Sequence, residues 1–325
     1  MRKRTVALLS LLAIAGAVYL NNTSLLSSRP AGKPVILAHR GLAQEYSREG
    51  LTGDTCTAER MLPPRHDYLE NTIRSMEAAF AAGADVLELD VHPTTDGKFA
   101  VFHDWTLDCR TEGSGVTREH SMAELKKLDV GYGYTADSGK TFPFRGKGVG
   151  LMPSLDEVFS QFPGRAFHIN VKSNDASEGE KLAAYLTTLP PDERRLHTVY
   201  GGNTPVDTVK AALPDQRVLS RKTLMHCVLR YAGLGWSGYV PESCRGTSLL
   251  IPINIAPWLW GWPDRFLDRM EAAGTRVYLL GPYHGGGFSD GLNDPETVRQ
   301  LPAGYSGGIS TDRLDLIMPI IRGTP

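Results

Sequence analysis

Short apolar runs alternate along the chain with longer segments in which apolar residues recur at helical spacing. The short runs are Val35–His39, Val86–Val91, Phe167–Val171, Thr198–Tyr200, Arg217–Leu219, Leu249–Ile253, Arg276–Leu280 and Gly308–Ser310. The helical segments between them are Thr72–Ala82, Leu155–Phe162, Gly179–Leu189, Thr204–Leu213, Arg265–Ala273 and Pro295–Leu301. This alternation predicts a parallel sheet with helices on both faces. Eight strands favour a (β/α)₈ barrel over a doubly wound open sheet, because no Gly-x-Gly-x-x-Gly follows the first strand.

A ninth apolar run, Phe99–Phe102, predicts a hairpin. It follows the strand Val86–Val91 across a short segment that contains Asp96-Gly97. Parallel neighbours need a crossover of a dozen or more residues, whereas Asp-Gly is typical of a hairpin turn. We therefore expect an antiparallel strand that begins an insertion after the second strand and lasts to about Pro153. A second excursion, from Gly41 to Leu69, should lie at the same end of the barrel.

The first 30 residues have a different pattern. Three basic residues at positions 2–4 precede the uncharged run Val6–Leu20. As a helix this run rises ~22 Å, less than the ~30 Å hydrocarbon layer of a bilayer. The basic start and apolar middle are typical of an export signal, with a cleavage site after Ala17. The rival interpretation is an uncleaved membrane anchor over residues 5–26.

Export sets the expected organisation and redox state of the chain. We expect a signal peptide or anchor with its linker at residues 1–30 and one barrel domain at residues 31–325, located in the periplasm, secreted or tethered to the membrane. In an oxidising compartment the four cysteines should pair. Of the three pairings, we expect Cys56–Cys109 and Cys227–Cys244. Metal binding by cysteine is not expected, because the chain has no Cys-x-x-Cys.

Composition excludes one class of partner. The chain of 325 residues has 35 Lys+Arg and 36 Asp+Glu, a formal net charge of −1. Nucleic-acid binding requires a basic face, which this balance does not favour. The apolar and charged fractions are those of an ordinary globular protein. The sequence does not indicate an oligomeric state.

Polar residues end several of the predicted strands, where barrel enzymes have their catalytic groups. These residues are His39, Arg40, Glu88, Asp90, His103, Asn170 and Lys172. Because Glu88 and Asp90 alternate with apolar residues, both carboxylates should point from one side of the second strand into the barrel. Two buried carboxylates repel each other and lose hydration. A divalent cation would offset both costs, and oxygen ligands suit Mg²⁺ or Ca²⁺.

Taken together, these motifs resemble the glycerophosphodiester phosphodiesterase family. The matching segments are Ala38-His39-Arg40-Gly41, Glu70-Asn71-Thr72, Glu88-Leu89-Asp90-Val91, Thr95-Asp96-Gly97, Val101-Phe102-His103-Asp104, Pro153-Ser154-Leu155, Ile169-Asn170-Val171-Lys172 and Gly308-Ile309-Ser310-Thr311-Asp312-Arg313. The resemblance covers nearly everything after residue 34 and is most specific over residues 38–104. It implies a (β/α)₈ barrel with an insertion after the second strand. It also implies metal-dependent hydrolysis of glycerophosphodiesters to glycerol 3-phosphate and an alcohol.

The resemblance also implies roles for individual residues. His39 and His103 would be the general acid–base pair, Glu88, Asp90 and Asn170 would bind one Mg²⁺ or Ca²⁺, Arg40 and Lys172 would bind the substrate, and Glu70 would support the metal and the first histidine. The chemistry agrees, since cations offset charge on the phosphoryl oxygens and two imidazoles can accept and donate the protons.

Two departures from the family pattern affect these expectations. Asn170 stands where the family usually has the Glu of Glu-x-Lys, which removes a negative charge and should lower metal affinity unless Glu70 compensates. The excursion Gly41–Leu69 is longer than usual, and a Cys56–Cys109 bond would tie it to the segment after His103 and narrow substrate choice. Alternative hypotheses are a phospholipase that acts on intact lipid and a phosphodiester-binding protein without turnover.

Three tryptophans lie close together at Trp258, Trp260 and Trp262. We favour a packed turn at the rim of the barrel. The alternative is an interfacial aromatic belt, which an N-terminal membrane anchor would hold next to the lipid head groups.

Overall fold

The barrel predicted from the sequence is present. The computed structural model describes residues 2–27, 29–52, 55–285 and 290–323. Its strands are β1 Val35–His39, β2 Val86–Pro93, β3 Phe99–Val101, β4 Ala166–Val171, β5 Thr198–Gly201, β6 Arg217–Ser220, β7 Ser248–Pro252, β8 Arg276–Leu280 and β9 Gly308–Thr311. Its α-helices are α1 Arg2–Asn22, α2 Ile73–Ala82, α3 Met122–Leu125, α4 Leu155–Gln161, α5 Ala176–Thr187, α6 Pro191–Arg194, α7 Asn203–Ala212, α8 Arg221–Leu234, α9 Asp264–Ala272, α10 Pro295–Arg299 and α11 Leu314–Arg322.

Eight parallel strands form a nearly closed barrel in the order β6-β5-β4-β2-β1-β9-β8-β7. The two end strands approach each other through a parallel bridge between Val218 and Thr247. The hairpin is also as expected, because β3 pairs antiparallel with β2 and places Val101 opposite Val91. The predicted fold class, with its hairpin-led insertion after the second strand, is therefore confirmed.

The apolar side chains form two main cores. The larger one lies between the barrel wall and its helices, where residues such as Leu89, Ile169 and Ile309 are completely buried. The smaller one joins the two excursions, since Met61 and Leu69 of the first pack with Leu107 and Phe144 of the second. The excursions therefore support each other above the strand ends and do not extend separately into solvent.

Both predicted disulfides are present. Cys56–Cys109 ties the first excursion to the second, with 5.6 Å between the Cα atoms. Cys227–Cys244 ties α8 to the segment that precedes β7.

The N-terminal helix α1 is long and apolar enough, over Lys3–Asn22, to cross a membrane, and none of that span is buried in the protein.

The segment with the three tryptophans, residues 258–262, differs from the expected packed turn. Trp262 does pack against Phe266 and Tyr305. Trp260 is 38 % exposed and Trp258 is 82 % exposed.

Candidate active site

A cavity of about 370 Å³ opens at the C-terminal ends of the strands. Its lining includes six of the seven strand-end residues identified in the sequence: His39, Arg40, Glu88, His103, Asn170 and Lys172. Asp90 is fully buried beneath them. The first excursion also contributes, through Tyr46 and Arg48. A cavity of this volume accommodates a small polar substrate.

His39, at the end of β1, lies between two carboxylates. Its Nδ1 is 2.5 Å from Asp312 Oδ1, and its Nε2 is 3.6 Å from Glu88 Oε2. Burial and the neighbouring Arg40 lower the pKa of His39, but Glu88 and Asp312 more than offset them, so the pKa is raised. The cationic form of this imidazole is therefore favoured.

The pKa of His103, which follows the hairpin strand β3, is shifted in the opposite direction. Its Nδ1 is 2.6 Å from Asp104 Oδ1, and Asp104 Oδ2 accepts a hydrogen bond of 2.9 Å from Arg110 Nε. Burial, followed by the charge of Arg40, lowers the pKa of His103 to about 4. Each imidazole thus contacts a carboxylate through its Nδ1. The raised pKa of His39 favours its protonated form, whereas the lowered pKa of His103 leaves it neutral and able to accept a proton.

Asp90 is neutralised by side chains of the chain itself. Arg40 Nε lies 3.2 Å from Asp90 Oδ2, and Lys172 Nζ lies 3.3 Å from Asp90 Oδ1. The amides of Asn71 and Asn170 also donate to this carboxylate. Burial would raise the pKa of Asp90, but Lys172 and Arg40 hold it well below its usual range. These two cations, which no local sequence pattern indicates, supply part of the charge that a metal ion was expected to provide.

Glu88 is better suited than Asp90 to bind a cation, because one of its oxygens has no hydrogen-bond partner in the described part of the chain. Its Oε1 accepts a hydrogen bond of 2.5 Å from the Tyr200 hydroxyl. Its Oε2 is buried and has no hydrogen-bond partner among the described residues. Burial, together with the nearby charge of Asp90, raises the pKa of Glu88 to about 7. A cation beside Oε2 would satisfy that oxygen and favour the ionised carboxylate.

In the part of the chain that the structure describes, few acidic side chains lie around Glu88 to act as further metal ligands. Within the described residues, no group of three or more His, Cys, Asp or Glu side chains is arranged to hold a metal ion. Asn170 supplies an amide at the third position, and its Nδ2 donates to Asp90 Oδ1 at 2.8 Å. The metal-ligand set Glu88, Asp90 and Asn170 therefore stays a prediction, in which the Asn170 amide has to present its oxygen.

Glu70 forms ion pairs with two arginines, and its expected support of the metal and of His39 stays a prediction. It binds Arg40 at 3.2 Å and Arg110 at 3.1 Å. Burial opposes ionisation, but Arg110 and Arg40 outweigh it and lower the pKa of Glu70. Asp312 is the carboxylate hydrogen-bonded to the first histidine.

The backbone beside His39 is conformationally unusual. Arg40 and Asn71 both have φ of 58°, in the left-handed region that side chains other than glycine seldom adopt. They are joined by a hydrogen bond of 3.1 Å from Asn71 N to Arg40 O. Gly41 follows with φ of 79°, and a Cβ there would lie 2.3 Å from Ser75 Oγ. Strain of this kind tends to occur where side chains must be aimed precisely.

Several residues of the site were not assigned a role from the sequence. They are Tyr46, Arg48, Asn71, Asp104, Arg110, Tyr200 and Asp312. For Asp104 and Asp312 a signal existed, because one follows His103 directly and the other follows β9. Arg48 and Arg110 lie in the excursions, and no periodic pattern there indicates which way a side chain points.

Comparison with known proteins identifies the family. Residues 39–191 match the model of the Glycerophosphoryl diester phosphodiesterase family, which confirms the resemblance, and this segment belongs to that family. The glycerophosphodiester phosphodiesterase of Bacillus subtilis (strain 168) is 39 % identical over 145 residues, 41 % of this chain and 48 % of that protein. The chain thus matches about half the length of this relative.

Two further proteins extend the comparison. Lysophospholipase D GDPD1 of Mus musculus is 27 % identical over 227 residues, 69 % of this chain and 65 % of that protein. A phosphodiesterase of Oleispira antarctica, solved in complex with the product sn-glycerol-3-phosphate, has a TM-score of 0.54 and 20 % identity, covering 89 % of this chain and 97 % of that one. This structural likeness establishes the shared barrel fold.

Proposed function

We propose that this protein hydrolyses glycerophosphodiesters to glycerol 3-phosphate and an alcohol. The observation that carries the proposal is the pair of histidine–carboxylate contacts, Asp312–His39 and Asp104–His103, which support two imidazoles of opposite proton affinity at one cavity. Such a pair suits a reaction that removes one proton and delivers another.

Arg40 and Lys172 supply the charge that a phosphodiester requires. Both line the cavity, and both contact Asp90 at its floor. An entering phosphodiester monoanion would share these cations with the buried carboxylate. Arg48 adds a third positive charge from the first excursion. The cationic groups would therefore stabilise charge that accumulates on the phosphoryl oxygens.

The two histidines divide the proton transfers. His103, neutral near pH 7, accepts the proton of the attacking hydroxyl as the new O–P bond forms. His39, held in its cationic form, donates its proton to the leaving alkoxide as the old O–P bond breaks. If the glycerol 2-hydroxyl attacks first, water then opens the cyclic phosphate, and the two histidines exchange roles.

Glu88, Asp90 and Asn170 are the residues that would hold Mg²⁺ or Ca²⁺, which when bound supplies positive charge next to the phosphoryl oxygens. For that purpose Asp90 has to turn an oxygen away from Lys172 or Asn170. Asn170 contributes no negative charge, so weaker metal binding is expected than with an acid at this position.

The same proposal includes the organisation and location of the chain. Residues 31–325 form the catalytic domain, and α1 tethers it outside the cytoplasm. The two disulfides and the apolar character of α1 support this location.

A second candidate is hydrolysis of a lysophospholipid at its head group. The exposed Trp258 and the apolar α1 favour it, because both suit a protein that works next to lipid. The Mus musculus relative is named a lysophospholipase D. A binding protein without turnover is less favoured, since both histidine–carboxylate pairs are complete.

Phosphorus NMR of the products tests the proposal and separates these candidates. The full-length chain is incubated with glycerophosphocholine or with lysophosphatidylcholine, with added Mg²⁺ or Ca²⁺ or with EDTA. Glycerol 3-phosphate formed from glycerophosphocholine supports the proposal, and lysophosphatidic acid formed only from the lysolipid supports the second candidate. No product from either substrate, with the protein folded, would contradict both.

A further inference from the structure

Exposed apolar side chains lie along α8 and around its C-terminal end. We call this group the α8 surface, and it consists of Met225, Leu229, Leu234, Trp236, Tyr239, Trp258 and Trp260. All seven side chains are between 38 % and 82 % exposed. Single exposed apolar residues are normal, but a group of this size with three tryptophans indicates an interaction surface.

Hydrogen bonds bring the parts of the α8 surface together. The Trp260 indole donates to Ala232 O at 2.8 Å, and the Tyr231 hydroxyl donates to Trp260 O at 2.8 Å. The tryptophan segment after β7 is therefore fixed against the last turn of α8. Trp258 is two residues from Trp260, a separation of at most about 7 Å along the chain.

The N-terminal helix α1 ends at this same surface. Asn21 and Asn22 both donate their side-chain amides to Trp236 O, at 3.2 Å and 2.8 Å. Arg269 of α9 completes the junction by donating to Asn21 O at 2.7 Å and to Asn22 Oδ1 at 2.9 Å. The point at which the apolar helix meets the barrel is thus tied to a tryptophan of the α8 surface.

The charge on α8 suits an anionic partner. The helix has no acidic residue, and Arg221, Lys222 and Arg230 are all exposed on it. Lys222 pairs with Asp207 at 2.7 Å. Basic residues beside exposed Leu and Trp are typical of helices that lie in the head-group region of an anionic bilayer.

We propose that the α8 surface docks on the anionic phospholipid bilayer that α1 crosses. Trp236 and Trp258 enter the interface between head groups and acyl chains, where indole rings are favoured. This inference rests on the proposed role of α1 as a membrane tether and does not require hydrolysis.

Tryptophan quenching by lipid tests the docking. The full-length chain is reconstituted into vesicles containing phosphatidylglycerol and phospholipids brominated near the glycerol end of their acyl chains. Quenching is compared between the original chain, the double variant Trp236→Phe/Trp258→Phe, and the control Trp105→Phe. Trp105 is similarly exposed, at 39 %, but packs beside His92 and Arg118 in the second excursion.

We expect the double variant to lose at least half of the quenching, the control to lose little, and quenching to weaken when phosphatidylglycerol is omitted. Equal quenching in all three proteins, or none in the original chain, would overturn the docking. A concentration-dependent dimer that hides these tryptophans from lipid would overturn it as well. Hydrolysis of glycerophosphocholine by the same samples is measured separately, so that a failure of the docking is distinguished from a failure of the proposed activity.

Discussion

Asp312 Oδ1 lies 2.5 Å from His39 Nδ1, and this contact joins the last strand of the barrel to the first. Its effect is on the second ring nitrogen, Nε2, which stays available near Glu88. Arg48 and Asn293 hold the other oxygen of Asp312 at 2.9 Å and 2.7 Å. Arg48, a residue of the first excursion, therefore positions Asp312, and Asp312 in turn positions His39.

Replacing this carboxylate should impair the proposed acid. Glu88 and Asp312 both raise the pKa of His39, and Asp312→Asn removes the second of these charges, so the pKa of His39 falls. Activity that depends on cationic His39 is lost as the pH rises through that pKa, and the alkaline limb of kcat/KM should therefore move to lower pH. The maximum should fall by roughly 10²-fold or more.

The matched control is Asp290→Asn, since Asp290 also pairs with Arg48 but does not contact His39. Its pH profile should keep its shape. If Asp312→Asn had the same profile as the original chain, Asp312 would have no part in setting the protonation of His39.

The amide at Asn170 should weaken metal binding. Asn170→Glu restores a third acidic oxygen, and we expect tighter Mg²⁺ or Ca²⁺ binding by calorimetry, by about 10-fold or more, as charge is added to the ligand set. Without metal the new carboxylate lies near buried Asp90, so the melting temperature of the metal-free protein should fall. Asn170→Gln, which adds no charge, is the control. Unchanged affinity in Asn170→Glu would place residue 170 outside the metal site.

The Cys56–Cys109 bond should matter to both stability and activity. It closes a sequence separation of 53 residues and secures the excursion that presents Arg48. Removing a native disulfide of this kind costs about 2–5 kcal/mol. We expect Cys56→Ser/Cys109→Ser to lower the melting temperature and to raise KM. Cys227→Ser/Cys244→Ser, with a separation of 17 residues, should lower stability but leave KM unchanged. Equal effects on KM would show that the excursion does not shape the site.

His168 should make the fold sensitive to acid. Both of its ring nitrogens are buried without hydrogen-bond partners among the described residues, and burial, followed by Arg276 and Arg217, lowers its pKa to about 3. The unfolded chain takes up this proton near pH 6.5, whereas the folded chain resists it. Its contribution to stability is complete above pH 6.5 and is lost as the pH falls toward 3.

Chemical denaturation between pH 7 and pH 4 measures this effect. The free energy of unfolding of His168→Gln should decrease less steeply with falling pH than that of the original chain. His226→Gln, at an exposed position of α8, should retain the original slope. Parallel curves for all three proteins would show that His168 is not the responsible group.

The sequence predicted the barrel well because burial on both sides leaves a strong apolar signal in every parallel strand. The predicted strands Val35–His39 and Arg276–Leu280 have the observed boundaries, and the others differ from the observed strands by one or two residues at an end. Helices α8 and α11 were not anticipated. Apolar and basic residues alternate on the outer face of α8, and Pro319 interrupts the pattern of α11.

The candidate site was predictable where a residue ends a strand, as His39 does, or alternates with apolar residues along one, as Glu88 does. Long-range pairs such as Asp312–His39, 273 residues apart, depend on barrel closure and leave no local pattern. The neutralisation of Asp90 by Arg40 and Lys172 likewise depends on packing across strands.

Leaving-group rescue distinguishes the proposed acid, His39, from the proposed base, His103. Release of the leaving group by His39→Gln and His103→Gln is measured as choline from glycerophosphocholine and as p-nitrophenolate from the p-nitrophenyl ester of glycerol 3-phosphate, whose leaving group needs no protonation. If His39 is the acid and His103 the base, both variants lose roughly 10²–10⁴-fold on glycerophosphocholine, while only His39→Gln recovers on the activated ester. Equal losses of His39→Gln on both substrates, or recovery of His103→Gln, would show that His39 is not the acid and His103 not the base.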